Sequence, residues 1–159
     1  MSDRLGRKQK SAAAVPGSEL NHGVLPGLLG YELRLAQLAV FRDFERNVGV
    51  LGISPGRFGV LVLIEANAGL TQSRLAEAVG LDRSTMVPVL DEFERREMVE
   101  RRRGEDRRTN GLWLTPAGKR FLARVKRRIA AHEQRMFGGL SPLERAQLFA
   151  LLSRLRSAR

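Results

Sequence analysis

The sequence predicts a mostly α-helical chain of 159 residues with one small β-hairpin after its middle. Three observations lead to this prediction. Apolar residues recur at helical spacing near both ends of the chain. In the middle, a short helix, a tight Gly-containing turn and a second helix follow one another. Two strand-like runs then flank a charged turn. The length is enough for one domain with a core and too short for two large ones.

The first long helix is predicted over residues 28–48. Its apolar residues form two stripes, Leu28, Tyr31, Leu35 and Leu38 on one and Leu29, Leu33, Ala36, Val40 and Phe44 on the other. Two apolar stripes need cover on two sides, so we expect the domain to cover one and a second copy of the chain to cover the other. Residues 1–27 have no helical periodicity and predict a flexible basic tail.

Capping residues predict where the remaining helices begin. Ser54, Thr71, Asp82, Thr115 and Ser141 each precede a helical run, and Pro at the first helical position follows Ser54, Thr115 and Ser141. We therefore expect one domain over residues 28–159. Helices in 28–49 and 116–159 would form the dimer, and residues 54–115 would form a winged helix-turn-helix lobe.

The composition restricts the classes of function. A net charge of +11 favours a polyanionic partner, although a genome that favours Arg codons would give the same charge. The chain has no cysteine and only His22 and His132, which excludes thiol chemistry and argues against a metal site. It shows no Gly-rich phosphate loop and no nucleophile with a suitable base, so we expect neither an enzyme nor a cofactor. No apolar run approaches the ~20 residues of a membrane span, and a cytoplasmic location is expected.

The helix-turn-helix predicts contact with duplex DNA, because the major groove admits one α-helix and the second helix of such a pair normally enters it. The residues expected at this contact are Arg83, Ser84, Thr85, Val87 and Pro88 on the second helix, with Thr71, Gln72 and Ser73 at the start of the first. The alternative is a solvated helix start that carries good capping residues.

The hairpin strengthens the DNA interpretation. Arg101, Arg102, Arg103, Arg107 and Arg108 lie within eight residues, on two strands and the connection between them. Arginines on the strands can bind phosphates, and an Arg at a protruding tip can enter a minor groove. A charged face that only meets solvent is the alternative.

The residues of this hairpin resemble a known family. Asp106, Arg108, Leu112, Leu114 and Thr115 match each fixed position of the pattern D-x-R-x-x-x-L-x-L-T, which is typical of the wing in the MarR family of bacterial transcription regulators. The resemblance spans about residues 28–155. It implies a homodimer built from the first and last helices, a repressor that binds a palindromic operator, and Arg108 as the minor-groove arginine braced by Asp106.

One position departs from the family pattern. Pro88 lies inside the second helix of the pair, where Pro removes a backbone N–H and its ring clashes with the carbonyl of Ser84. We expect a kink or an opened turn near Ser84, and the alternative is a mild bend.

The resemblance also implies a small effector that releases the DNA. The lack of cysteine and the scarcity of histidine argue against peroxide and metal sensing, which leaves a small organic ligand. Candidate effector residues are Tyr31, Arg34, Gln37, Arg42 and Phe58, although core packing and a solvated face would explain them too. The leader VLPGLLGY resembles the subgroup that responds to CoA thioesters of aromatic acids. An architectural DNA-binding protein without sequence specificity is the alternative function.

Overall fold

The computed structural model of the protein describes residues 20–103 and 110–157. Its α-helices are α1 (Leu29–Asn47), α2 (Pro55–Ala66), α3 (Gln72–Ala78), α4 (Arg83–Arg95), α5 (Pro116–Phe137) and α6 (Pro142–Ser157). Its strands are β1 (Leu70–Thr71), β2 (Val99–Arg103) and β3 (Asn110–Leu114). The predicted class, mostly helical with a small β element, is confirmed. The chain divides into two units, Met1–Ala36 and Gln37–Arg159, and the predicted domain boundaries at residues 27 and 54 stay predictions.

The predicted caps begin the helices as expected. Side-chain oxygens of Ser54, Thr71, Asp82 and Thr115 accept hydrogen bonds from the backbone N–H three residues ahead, at Arg57, Arg74, Thr85 and Gly118. At the start of α6, the Ser141 hydroxyl accepts from the Glu144 N–H and the Glu144 carboxylate accepts from the Ser141 N–H. This reciprocal pair is a capping box. The hydrogen bonds from Ser141 also lower the pKa of Glu144, because they stabilise its ionised form.

The sheet has three antiparallel strands in the order β1-β3-β2. The sequence predicted only the β2–β3 hairpin, in which Val99 pairs with Leu114 and Arg103 pairs with Asn110. The third strand is the two-residue β1, whose Leu70 lies opposite Leu112. The sheet therefore joins the chain just before α3 to the strands that follow α4.

The apolar core lies in the second unit, between α2, α3, α4, the sheet and α5. Its fully buried side chains include Leu61, Ile64, Leu75, Met86, Leu90, Phe93, Leu112, Leu122 and Val125. Complete burial of such a side chain stabilises a fold by about 1.5–3 kcal/mol. This shared core holds the helix-turn-helix and the hairpin together as one body.

The first turn of α5 packs directly on the backbone that leads into β2. The Thr115 N–H donates to the Met98 carbonyl over 3.1 Å, and a methyl group at Gly118 would lie only 2.0 Å from the same oxygen. Gly118 is therefore required by the close approach of the two backbones.

A cluster of polar side chains joins α1 to α5 around the Asp43 carboxylate. His132 is buried, and its Nδ1 lies 2.6 Å from Asp43 Oδ2. Arg135 donates to both carboxylate oxygens, over 3.1 and 2.9 Å, and Asn47 donates to Oδ1 over 2.9 Å. Hydrogen bonds from Arg135 and then His132 lower the pKa of Asp43 from 3.8 to about 2. The contacts thus stabilise the ionised form of Asp43 and give His132 a structural role.

This shift predicts how stability depends on pH. Because the pKa of Asp43 is lower in the folded chain than in the unfolded chain, its stabilising effect is complete above about pH 4 and is lost as the pH falls towards 2. Asp43→Asn should therefore lower the melting temperature at pH 7, and the deficit relative to wild type should shrink between pH 4 and pH 2.

Thermal melts followed by circular dichroism at several pH values measure this deficit. Glu133 is an exposed carboxylate of α5, so Glu133→Gln is the matched control and should show no such pH-dependent deficit. A deficit of Asp43→Asn that stays constant down to pH 2 would contradict the prediction.

Candidate nucleic-acid interface

Helices α3 and α4 form the helix-turn-helix in the second unit. The turn between them passes through Gly80, whose φ of +68° lies in the left-handed region that glycine adopts without strain. Leu75 of α3 and Met86 and Leu90 of α4 are completely buried. Because these apolar residues face inward, the opposite side of α4 is left facing solvent.

The structure places every residue predicted at the start of α4 on its exposed side. Arg83, Ser84, Thr85, Val87 and Pro88 are all exposed. A helix start that combines a guanidinium, two hydroxyls and a small apolar group has the groups that read base edges in a major groove. The placement is as predicted, and contact of each residue with DNA stays a prediction.

The Asp82 carboxylate orients the two hydroxyls. Ser84 Oγ donates to Asp82 Oδ1 over 2.5 Å and Thr85 Oγ1 donates to Asp82 Oδ2 over 2.9 Å, while the Thr85 N–H donates to Oδ1 over 2.8 Å. The Ser84 hydroxyl first, and then the Thr85 N–H and hydroxyl, lower the pKa of Asp82 from 3.8 to about 2. The carboxylate is thus ionised at neutral pH and can only accept, so both hydroxyl hydrogens point at Asp82.

Helix α4 passes through Pro88 without interruption, from Arg83 to Arg95. The helix therefore continues past Pro88, and the kink or opened turn expected near Ser84, like the mild bend that is its alternative, stays a prediction. Pro88 has no N–H to donate to the Ser84 carbonyl four residues earlier. Because Pro88 is exposed, its ring takes no space from the core beneath α4.

The three residues predicted at the start of α3 have different surroundings. Thr71 belongs to β1, and its hydroxyl accepts from the Arg74 N–H over 3.4 Å. Thr71 and Gln72 are half-buried, whereas Ser73 is exposed. Ser73 is therefore the most accessible of the three to a ligand the size of DNA.

The consecutive arginines of β2 fall on two faces of the sheet, because side chains alternate along a strand. Arg102 is paired with Glu100, and its guanidinium lies 5.7 Å from the ring centre of Trp113. Arg103 is exposed, and no carboxylate in the described residues pairs with it. Of Arg102 and Arg103, Arg103 is thus the one without an ion pair among residues 20–103 and 110–157.

Sequence reasoning missed the role of Arg101. This side chain leaves β2 on the side of buried Val99 and binds two carboxylates of α4, Asp91 over 2.9 Å and Glu94. The signal was present in the alternation of the strand, which puts Arg101 on the same face as Val99. Its partners could not be read from the sequence, because they lie seven and ten residues away on a different element.

A third carboxylate of α4 fixes the helix to α2. Glu92 accepts from both terminal nitrogens of Arg57, over 2.8 and 2.5 Å. Arg96 lies 3.5 Å from the same carboxylate and donates to the Gly52 carbonyl over 3.0 Å. The second half of α4 is therefore tied to its neighbours, while one side of the first half is exposed.

The predicted tip of the wing lies outside the described residues. Asp106, Arg107 and Arg108 belong to the segment 104–109. Their assignment to the DNA interface stays a prediction from the sequence.

The predicted effector residues lie in both units. In the first unit, Tyr31 is half-buried with its hydroxyl 3.5 Å from His22 Nδ1, and Arg34 is exposed. In the second unit, Gln37 and Arg42 are exposed and Phe58 packs against the core. Phe58 thus has the core packing that its alternative interpretation expected.

A separate cavity of about 240 Å³ lies between the end of α5 and α6. It is lined by Glu133, Phe137, Leu140, Arg145, Leu148, Phe149 and Leu152. None of the predicted effector residues lines it.

The described part of the chain holds no group of three or more His, Asp or Glu side chains placed to bind a metal ion. Among the helices described, none is both long enough and apolar enough to cross a membrane.

Comparison with known proteins places the chain among regulators. Residues 53–109 match the sequence model of the MarR family. A putative transcriptional regulatory protein for the hcr operon of Thauera aromatica is 40% identical over 140 residues, which cover 87% of this chain and 84% of that protein.

Solved structures show the same fold. The transcriptional repressor CouR bound to a 23-mer DNA duplex is 40% identical, with a TM-score of 0.80 over 87% of this chain and 99% of that one. CouR bound to p-coumaroyl-CoA is 37% identical, with a TM-score of 0.78 over 89% of this chain and all of that one. With its helix-turn-helix, its winged sheet and these relatives, the chain belongs to the MarR family of DNA-binding transcription regulators.

Proposed function

We propose that this chain is a cytoplasmic, homodimeric repressor that leaves its operator when it binds the CoA thioester of an aromatic acid. The observation that carries the proposal is the similarity to CouR along nearly the whole CouR chain. CouR has been seen both on a DNA duplex and with p-coumaroyl-CoA, and this chain resembles both forms at 37–40% identity. DNA binding, dimerisation and effector binding are supported by different observations.

The proposal that the chain binds DNA rests on its charge and on which residues are exposed. The chain carries a net charge of +11, and the exposed start of α4 and exposed Arg103 belong to one body. A helix in the major groove and a basic wing beside it can engage a duplex together. Two copies of this body would bind half-sites about 34 Å apart.

The proposal that the chain forms a dimer rests on its exposed apolar side chains. On α6, Leu143, Phe149, Leu151 and Leu155 are 54–72% exposed. On α1, the exposed apolar residues are Leu29, Leu33, Leu35, Leu38 and Phe41. So many exposed apolar side chains on two helices are unusual for a monomer, and a second copy of the chain would cover them.

The proposal for the effector rests on the chemical groups of the candidate residues. Arg34 and Arg42 are exposed, and guanidinium groups suit phosphates such as those of CoA. The ring of Tyr31 is of the kind that lines sites for aromatic groups, whereas the ring of Phe58 packs against the core.

The proposed dimer predicts a particle with twice the mass of the chain. Light scattering at micromolar concentration should give that mass for wild type. Leu151→Glu should shift it towards the monomer, because a charge would replace apolar surface on α6. Leu81→Glu changes another exposed leucine, 42% accessible and outside α1 and α6, and should leave the dimer intact. A folded wild-type monomer at this concentration would show that the apolar faces have another role.

The wing tip predicts a specific loss of binding. Arg108→Ala should weaken operator binding at least about tenfold, or ~1.4 kcal/mol, because a cation in a narrow minor groove meets strongly negative potential. The melting temperature should stay nearly unchanged. Asp106→Ala should weaken binding less, and the double variant should behave like Arg108→Ala if the two residues act as one unit.

Titration of these variants onto one operator at fixed salt measures the effect. The operator can be selected from a random duplex library with wild-type protein. If Arg108→Ala binds as tightly as wild type, the minor-groove assignment is wrong.

The effector proposal predicts release by the thioester alone. Adding p-coumaroyl-CoA or benzoyl-CoA to the complex with labelled operator should raise the apparent Kd at least about tenfold, equivalent to ~1.4 kcal/mol. Free CoA and the free acids are the controls and should leave the complex intact, because each has only half of the proposed contacts. Fluorescence anisotropy follows the release. Release by the free acid alone, or by none of the compounds, would contradict a thioester effector.

A further inference from the structure

Arg101 links strand β2 of the hairpin, called here the wing strand, to α4, the second helix of the helix-turn-helix, called here the recognition helix. Its guanidinium binds two carboxylates at once, and we call this group the fork. One terminal nitrogen of its guanidinium donates to Asp91 over 2.9 Å and the other donates to Glu94. The Arg101 and Glu94 side chains are less than a third exposed. A planar guanidinium held by two carboxylates has a defined orientation, because its N–H groups point in fixed directions.

The two carboxylates occupy the same face of α4. Asp91 and Glu94 are three residues apart, and side chains at that spacing are neighbours on a helix surface. At the other end of the fork, Arg101 lies opposite fully buried Leu112 in the β2–β3 ladder. The fork therefore joins α4 to the sheet at a point where the sheet is anchored in the core.

The charge of this group is unsuited to phosphate binding. One guanidinium and two carboxylates leave a net negative charge, so a phosphate that approaches Arg101 also meets two like charges. Arg103 has no such carboxylate in the described part of the chain. Of these two arginines, Arg103 is suited to bind DNA and Arg101 is suited to hold protein elements together.

We propose that Arg101 is a positioning residue that fixes the recognition helix relative to the wing and thereby raises preference for the operator over other DNA. Specific binding requires α4 to reach base edges while the wing engages the same duplex, so the angle between the two elements matters. Binding to random DNA rests on phosphate contacts and tolerates a looser angle. The inference rests on the DNA-binding function of the family and adds a residue to it.

Arg101→Gln tests the role, with Arg103→Gln as the matched control. Affinities for the selected operator and for a random duplex of equal length are measured at several salt concentrations. Arg101→Gln should weaken operator binding about tenfold, ~1.4 kcal/mol, beyond any loss of random-duplex affinity caused by the two uncompensated carboxylates, with the log–log salt slope unchanged. Arg103→Gln should weaken both duplexes alike and reduce the log–log salt slope by about 0.9 for each phosphate that is no longer neutralised.

Removing the carboxylates gives the reciprocal test. The double variant Asp91→Asn/Glu94→Gln should also lose operator preference, while its affinity for random DNA should rise, because Arg101 is released and two negative charges are removed. Arg101→Lys keeps the charge but cannot hold both carboxylates in the forked geometry, so its operator preference should fall between those of wild type and Arg101→Gln. These two variants keep the test decisive if Arg101→Gln does not fold.

The outcomes separate this inference from the function itself. Wild type must prefer its operator by about 10³-fold or more over random DNA, and absence of that preference would contradict a sequence-specific regulator. If wild type shows the preference but Arg101→Lys and the double variant retain it in full, the positioning role is overturned. A reduced salt slope in Arg101→Gln would instead identify Arg101 as a phosphate-binding residue.

Discussion

The DNA-binding lobe depends on how the second half of α4 is anchored. Three carboxylates on this half bind arginines from other elements: Asp91 and Glu94 hold Arg101 of β2, and Glu92 holds Arg57 of α2. In a chain with a net charge of +11, three acidic residues on one half of a helix find many arginine partners. They fix the end of α4 that faces the protein, while the other end presents Arg83 and two hydroxyls to solvent.

Local signals in the sequence predicted most of the fold. The caps at Ser54, Thr71, Asp82 and Thr115 are short-range hydrogen bonds between a side chain and the backbone three residues ahead, so their pattern can be read directly from neighbouring residues. The β2–β3 hairpin could also be predicted from neighbouring residues, because its two strands are close in the sequence. The strand β1 was missed because two residues carry too little periodicity, and only its pairing with Leu112 identifies it.

Long-range contacts could not be predicted in the same way. The Asp43 cluster joins residues 89 and 92 positions apart, and nothing near Asp43 in the sequence points to His132. The sequence predicted phosphate contact for the arginines on the strands without distinguishing them, but the structure shows that the surroundings of Arg101, Arg102 and Arg103 differ. A residue type predicts the available chemistry, whereas the partner on another element decides whether the charge is free or already used.

The hydrogen bonds of Asp82 have a consequence for which bases suit the recognition helix. With both hydroxyl hydrogens directed at the carboxylate, Ser84 and Thr85 offer lone pairs towards the outside. In a major groove, the amino groups of cytosine and adenine can donate to such oxygens, whereas guanine O6 and thymine O4 only accept. Since the pKa of Asp82 is about 2, this polarity holds throughout the pH range of living cells. The cap residue Asp82 thus makes these two hydroxyls present acceptors rather than donors at the exposed start of α4.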